Sequence, residues 1–495
     1  MSEEYLNSLS HGSHLYVEIK GSLERWSAVR HQHNFYNSVG ITASHLSPIP
    51  GPNEASLRLY VYAACATAIN QHHILSALPV NTSPREAHFK ILREIHLEKC
   101  VRFTQRKQPR PIDSTRDFEL DALLESEHNT SWREQLEAGL IVVPVWHVVI
   151  LLDHPDTPNT SEFMVLFIYH HALGDGTSGL AFHRTFSRAL HSVNITDGNS
   201  SISTIIDPPS RIAVLPSLEQ LLHFSVSIRY VLSVMLPDLL PWFFSSPSGL
   251  WTGGPVKPNP HTQLMSIVLS WDLSTRFAGA CRASKTSVTA TLQTILAASL
   301  LEVIPEQFDT VEGSCAVSLR RWLQGTGIDD ESFGVWVAET TLSYDRKQFA
   351  GQSVRSEIVE QSQRTRNDIQ RFVAKGPRDV SVGLLKFVPD LEKYFFSKLG
   401  KVREKSFEVS NLGLWKAGAN GNQVGNTAEH SGRVGRMVFS QSTNVIGPAV
   451  QLSCVTGGDG CLVLGLSWQT NVVEDNIMEK LANHLTGLVH SFCSI

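Results

Sequence analysis

Two adjacent histidines precede an aspartate flanked by glycines in Ile168-Tyr169-His170-His171-Ala172-Leu173-Gly174-Asp175-Gly176. Imidazole is the side chain best suited to take and return a proton near neutral pH. One reaction it serves is acyl transfer from a thioester, where a base removes the acceptor's proton during attack on the carbonyl. The residues before His171 read as a strand and those after Asp175 as a helix, so a base here projects from a sheet edge. Gly174 and Gly176 let the backbone turn tightly beside it. Asp175 can lock that turn through backbone N–H groups or an arginine. The His-x-x-x-Asp spacing alone carries little. With 21 histidines in 495 residues, chance supplies about one such pair. The surrounding elements carry the weight, and the competing reading is a structural histidine in a tight turn.

Those elements follow from periodicity. Val142–Leu151 and Phe163–Tyr169 are apolar and rich in β-branched and aromatic residues. With the turn-forming stretch Asp153–Ser161 between them, they predict neighbouring strands. Thr177–Val193 has apolar residues at helical spacing, with Asp175 or Thr177 as N-cap. Ala55–Ile69 reads as a buried helix. Further on, Leu264–Trp271, Cys315–Leu319, Trp336–Leu342 and Leu462–Trp468 read as strands, and Thr289 is placed to cap a helix through Thr291–Val303. Leu481, Leu485, Leu488 and Val489 mark an amphipathic final helix. Lys416–Arg436 is polar and glycine-rich and reads as an irregular surface insertion. Strands and helices mix in both halves without regular alternation, which predicts an α/β fold of mixed α+β sheets.

Residues 212–251 stand apart. Their only formal charges are Glu219, Arg229 and Asp238, and prolines at 216, 237, 241 and 247 interrupt them. The segment fits a connection packed over a core. It also fits an interfacial stretch that makes weak contact with a lipid surface or lines an apolar substrate mouth.

Composition bounds the function. Hydrophobic residues make up 42% and charged residues 18% of the chain, enough for large cores and more than one folding unit. A net charge of -5 supplies no basic footprint for nucleic acid. An anionic ligand would therefore need locally placed lysines or arginines. Seven scattered cysteines without a CxxC pair point to reduced thiols, neither a disulfide framework nor a metal site. The acidic N-terminus lacks an apolar signal region, and the most apolar run, Leu140–Leu152, is short and contains Pro144 and His147. Both features predict a cytoplasmic protein.

The segment His170-His171-Ala172-Leu173-Gly174-Asp175-Gly176 resembles the HHxxxDG signature of the HxxxD acyltransferase superfamily. That superfamily includes chloramphenicol acetyltransferase, the plant BAHD acyltransferases and nonribosomal peptide condensation domains. Leu23-Glu24-Arg25-Trp26-Ser27-Ala28-Val29-Arg30 and Trp251-Thr252-Gly253-Gly254 are similar to segments of the fungal alcohol acetyltransferase family. Two later landmarks also match in order. Val317-Ser318-Leu319-Arg320-Arg321, followed by Phe333-Gly334-Val335-Trp336-Val337, is similar to an arginine-bearing loop and a glycine-led strand. Val409-Ser410-Asn411-Leu412-Gly413 resembles an SNLG element. The plant DFGWG motif is absent, which sets the chain apart from that branch.

The resemblance implies two chloramphenicol-acetyltransferase-like subdomains forming a V with a central tunnel. The expected division is 1–205, a connecting segment 206–255, and 256–495. It implies an acyl-CoA-dependent O-acyltransferase that takes acetyl-CoA as cosubstrate and a small, hydrophobic, secondary-metabolite-like alcohol as acceptor. No permanently bound cofactor or metal is implied, and one chain completes the site, so a monomer suffices. His171 would be the base, His170 structural, and Asp175 structural and paired with an arginine that the sequence does not identify. Ser410, Asn411 or nearby backbone N–H groups, with Gly413 in the same element, would stabilise the oxyanion and bind substrate. Arg320 would contact CoA, or with Arg321 form an ion pair. The alternatives are an N-acyltransferase, a condensation-type enzyme using a carrier-protein thioester, and an inactive homologue acting as a binding protein.

Overall fold

A computed structural model describes residues 16–494 except 84–85, 112–114, 131–142, 158–160, 194–202, 209–213, 240–248, 352 and 419–432. The strands of its two large sheets are, from the first half, β1 (Val39–Leu46), β2 (Val101–Gln105), β3 (Trp146–Leu152) and β4 (Glu162–Tyr169). The second half supplies β5 (Thr262–Leu269), β6 (Thr310–Ser318), β7 (Val337–Asp345), β8 (Phe407–Leu414), β9 (Val434–Gln441), β10 (Val450–Thr456) and β11 (Leu462–Gln469). The helices that matter below are α1 (Ser22–Gln32), α2 (Glu54–Gln71), α3 (Phe118–Asn129), α4 (Gly176–Ser192), α5 (Ile228–Leu239), α6 (Trp271–Ala283), α7 (Val288–Val303) and α8 (Asp475–Cys493).

Both large sheets are mixed, as the fold-class expectation required. The five-stranded sheet runs β9-β1-β4-β3-β2, and the six-stranded sheet runs β5-β11-β10-β8-β6-β7. β2 pairs with β3, and β8 with both β6 and β10, in parallel; the remaining pairs are antiparallel. Central strands buried on both faces read as continuous apolar runs. β4 (Glu-Phe-Met-Val-Leu-Phe-Ile-Tyr) is an example, buried throughout after its first residue. One core surrounds the first sheet with α2 and α4, and another surrounds the second with α6, α7 and α8. A smaller cluster joins them through Leu120, Leu124, Leu166, Leu264, Val438 and Val463.

Two elements cross between the halves. β9 comes from the second half but pairs with β1, Phe439 opposite Ile41. This corrects the reading of Lys416–Arg436 as an irregular insertion, because Val434–Arg436 already belongs to β9; residues 419–432 lie outside the described residues. A strand from within 256–495 thus completes the sheet of the first half. In the other direction α3 packs on edge strand β5: the Asn129 side chain donates to Thr262 O and accepts from Thr262 N, and Asp121 accepts from Ser266.

Several boundaries move for local reasons. The Ser270 side chain accepts from Leu273 N and caps α6, so Trp271 opens a helix and does not end a strand. Ser287, not Thr289, caps α7. Leu319 turns into a short 3-10 helix, which ends β6 at Ser318. The segment 212–251 is partly built over a core: Leu218 and Phe224 pack with Leu319 and Trp336. Its helix α5 nevertheless leaves Ile228, Leu232 and Val234 exposed. No single helix among the described residues is long and apolar enough to cross a membrane.

Candidate active site

The turn between β4 and α4 opens onto a cavity of about 1730 Å³ lined from both halves, including Trp26, Arg30, His171, Arg320, Glu408 and Ser410. Asp175 caps α4: its Oδ1 accepts from Ser178 N at 3.2 Å. Its Oδ2 accepts from Arg320 Nη1 at 2.7 Å and from Trp336 N at 3.1 Å, while its own N–H donates to Gly334 O at 3.0 Å. Tyr169 Oη donates to Asp175 O at 2.7 Å. The carboxylate thus ties the turn to the loop carrying Phe333–Trp336. Burial alone would raise its pKa, but the Arg320 charge and these hydrogen bonds outweigh it and hold Asp175 below the usual range.

The two histidines separate cleanly. His170 is buried, its Nδ1 accepts from Ala172 N at 2.8 Å, and its ring lies 4.0 Å from that of His31. Burial keeps it neutral. His171 lines the cavity, with the Tyr36 ring 5.6 Å away. Its Nδ1 is enclosed and makes no hydrogen bond among the described residues. Nε2 is the nitrogen left to the cavity. Burial first, then the Arg30 charge, pushes His171 down to about 4. The ring is therefore unprotonated at neutral pH, as a base must be.

Arg320 is the arginine that the sequence left unnamed. Besides Asp175 it donates from Nε to Asp329 O at 3.0 Å and from Nη2 to Ser332 O at 3.1 Å, and it lies over the Trp336 ring. It borders the cavity, and each of its nitrogens bonds within the protein. Arg321 is exposed at the same cavity.

The element at 410–413 also lies on the cavity, within a strand whose register shifts between Asn411 and Leu414. Ser410 Oγ donates to Glu408 Oε1 at 3.0 Å. Asn411 Nδ2 donates to Thr289 Oγ1 at 3.0 Å, and its Oδ1 accepts from Gly413 N at 2.8 Å. Gly413 has φ +79°, a conformation that favours glycine. The two motifs touch: a Cβ on Gly176 would sit 2.6 Å from Leu412 Cδ2. Ser410, Asn411, Gly413 and His171 thus share one cavity.

Arg30 and Glu408 were not singled out from the sequence. Trp26, Ser27 and Arg30 share one face of α1, the i, i+4 signal that could have found the arginine. Glu408 stands two residues before Ser410 on a strand, so both point to one face. Burial and neighbouring Glu339 raise the Glu408 carboxyl above its ordinary value.

Comparison with known proteins agrees with this architecture. Residues 20–495 match the family described as alcohol acetyltransferase. A probable alcohol acetyltransferase of Aspergillus fumigatus is 34% identical over 93% of this chain and 97% of its own. The chain belongs to the alcohol acetyltransferase family. A second probable alcohol acetyltransferase, from Fusarium pseudograminearum, is 23% identical over 69% of this chain and 70% of its own. Among solved structures, a trichothecene 15-O-acetyltransferase from Fusarium sporotrichioides superposes with TM-score 0.66 at 12% identity, covering 98% of this chain and 96% of that one. The condensation domain of the monacolin K polyketide synthase superposes with TM-score 0.57 at 14% identity, covering 97% and 98%. At those identities the likeness is one of fold.

Proposed function

We propose that this alcohol acetyltransferase family member moves an acyl group, acetyl in the simplest case, from CoA to the hydroxyl of a small hydrophobic alcohol. The observation that carries the reading is His171, a neutral imidazole whose free nitrogen faces a cavity lined by both halves. His171 Nε2 takes the hydroxyl proton as the alcohol oxygen attacks the thioester carbon. The C–O bond forms, the carbonyl electrons move onto oxygen, and a tetrahedral oxyanion results. Its collapse breaks the C–S bond, and the imidazolium returns the proton to the departing CoA thiolate. Asp175 and Arg320 hold the turn and move no proton. The apolar rim supports a hydrophobic acceptor, because Tyr230 and Val234 of α5 line the cavity beside Phe387.

Release of free thiol from acetyl-CoA with a panel of hydrophobic alcohols tests this. His171→Ala should lower the rate by about 10²–10⁴. The acidic limb of kcat/KM should lie near pH 4, where His171 becomes protonated, and not near the ordinary histidine value of 6.5. Equal rates for wild type and His171→Ala, or failure of acetyl-CoA to raise the melting temperature, would overturn the reading.

A further inference from the structure

The donors expected to meet the oxyanion already have partners. Ser410 Oγ donates to Glu408, and the Asn411 amide is engaged at both ends by Thr289 and Gly413. The same cavity holds a cation with the opposite problem. Arg30, in the last turn of α1, is 8% exposed and lines the cavity. Its Nε is buried without an acceptor, and among the described residues the guanidinium's one hydrogen bond is a long 3.4 Å contact from Nη2 to Ser27 Oγ. No carboxylate among the described residues forms an ion pair with it. Two aromatic faces pack on it, with Cζ 4.8 Å from the Tyr36 ring centroid and 5.9 Å from that of Trp26, while the Glu408 and Glu339 carboxyls act on it only from beyond ion-pair distance. The Tyr36 ring in turn lies 5.6 Å from His171. The carbonyl ends of α1, the ring faces and the more distant carboxyls offset part of the burial cost, but a buried guanidinium with no carboxylate in contact remains costly. Burial lowers Arg30 to about 10, which leaves it a cation at neutral pH.

We infer that Arg30 is a catalytic residue that donates to the thioester carbonyl oxygen and stabilises the oxyanion formed when His171 deprotonates the acceptor. This rests on the acyltransferase reading above. Negative charge appears beside His171 only as bond formation proceeds, so an unpaired cation there acts mainly on the transition state. It does so from a buried position, packed against the Tyr36 ring and beside Trp26 at the cavity wall, where its field is less screened than in open water.

The test compares two nonreactive thioethers of CoA. The acetonyl thioether mimics the ground-state carbonyl, and its trifluoromethyl ketone counterpart presents a tetrahedral, acidic hydrate. Calorimetry should show wild type binding the trifluoromethyl compound at least about tenfold more tightly than the acetonyl one. Arg30→Met should bring the two affinities together and lower kcat about 10²–10³-fold, with the acetyl-CoA KM changing little. Arg30→Gln, which keeps hydrogen bonding without charge, carries the same test if the methionine variant fails to fold. The inference is overturned if wild type shows no preference for the trifluoromethyl compound, or if the variants retain that preference. If wild type binds neither compound nor acetyl-CoA, the donor assignment itself fails and takes this inference with it. Thiol release by wild type and not by His171→Ala, alongside a kcat unchanged in the Arg30 variants, removes the inference alone.

Discussion

The turn at 170–176 and the bend at 410–413 border the same cavity but are fixed by different kinds of bond. In the turn, a buried carboxylate reaches far along the chain to Arg320 and the Trp336 N–H. In the bend, the uncharged side chains of Ser410 and Asn411 bond to near neighbours or to a helix start: Ser410 to the Glu408 carboxyl, Asn411 to Gly413 and to Thr289. Removing one partner of a buried ion pair strands a charge, whereas removing a neutral hydrogen bond strands at most a dipole. The wall that carries His171 is therefore expected to be the intolerant one. The other wall is expected to vary without dismantling the site.

The strongest way to break this contrast is Asp175→Ala. It leaves Arg320 buried without its carboxylate and uncaps α4, so stability should fall by about 3–5 kcal/mol. Thiol release should collapse although Asp175 touches no substrate. Urea unfolding followed by circular dichroism reads the first effect. The double variant Asp175→Asn with Arg320→Met, which removes both charges, should recover part of the stability. An Asp175→Ala protein as stable as wild type would show that the turn does not depend on the ion pair.

How much of this was legible in the sequence follows from range. The cap at Asp175 and the helix after it depend on residues within one turn, and they could be read directly. The partner of Asp175 lies 145 residues away, and nothing local marks Arg320 over the other arginines. β9 was hidden because a polar, glycine-rich run precedes Val434, and because its partner β1 lies far away in sequence, with Phe439 opposite Ile41. Thr289 looked like a cap because threonine caps helices well; Ser287 does so instead, which leaves the Thr289 hydroxyl free to accept from Asn411. Arg30 went unnoticed for a different reason. A cation's lack of a partner is a property of its surroundings in three dimensions, and the sequence shows only that the cation exists.

A subtler change tests whether the two walls are mechanically coupled. Gly176→Ala places a methyl 2.6 Å from Leu412 Cδ2. Overpacking of this kind should cost about 1–3 kcal/mol and lower the rate by displacing the turn, the bend or both. Leu412→Ala should relieve it, so the double variant should be more stable than Gly176→Ala alone. Strictly additive losses in a double-mutant cycle would mean that the walls do not press on each other.

The smallest effect is expected at Asn411. Alanine removes its bonds to Gly413 and Thr289 and should cost about 1–2 kcal/mol. The rate should fall by less than about tenfold, because the amide holds the bend and its donor is already engaged. Asn411→Asp keeps an acceptor for Gly413 N while losing the donor to Thr289, so it should sit between alanine and wild type in stability. The decisive comparison is kcat at equal folding. If Asn411→Ala stays folded yet loses about 10²–10³ in kcat, Asn411 rather than Arg30 meets the oxyanion. The bend would then be the chemical wall, and the contrast drawn between the two sides of the cavity would reverse.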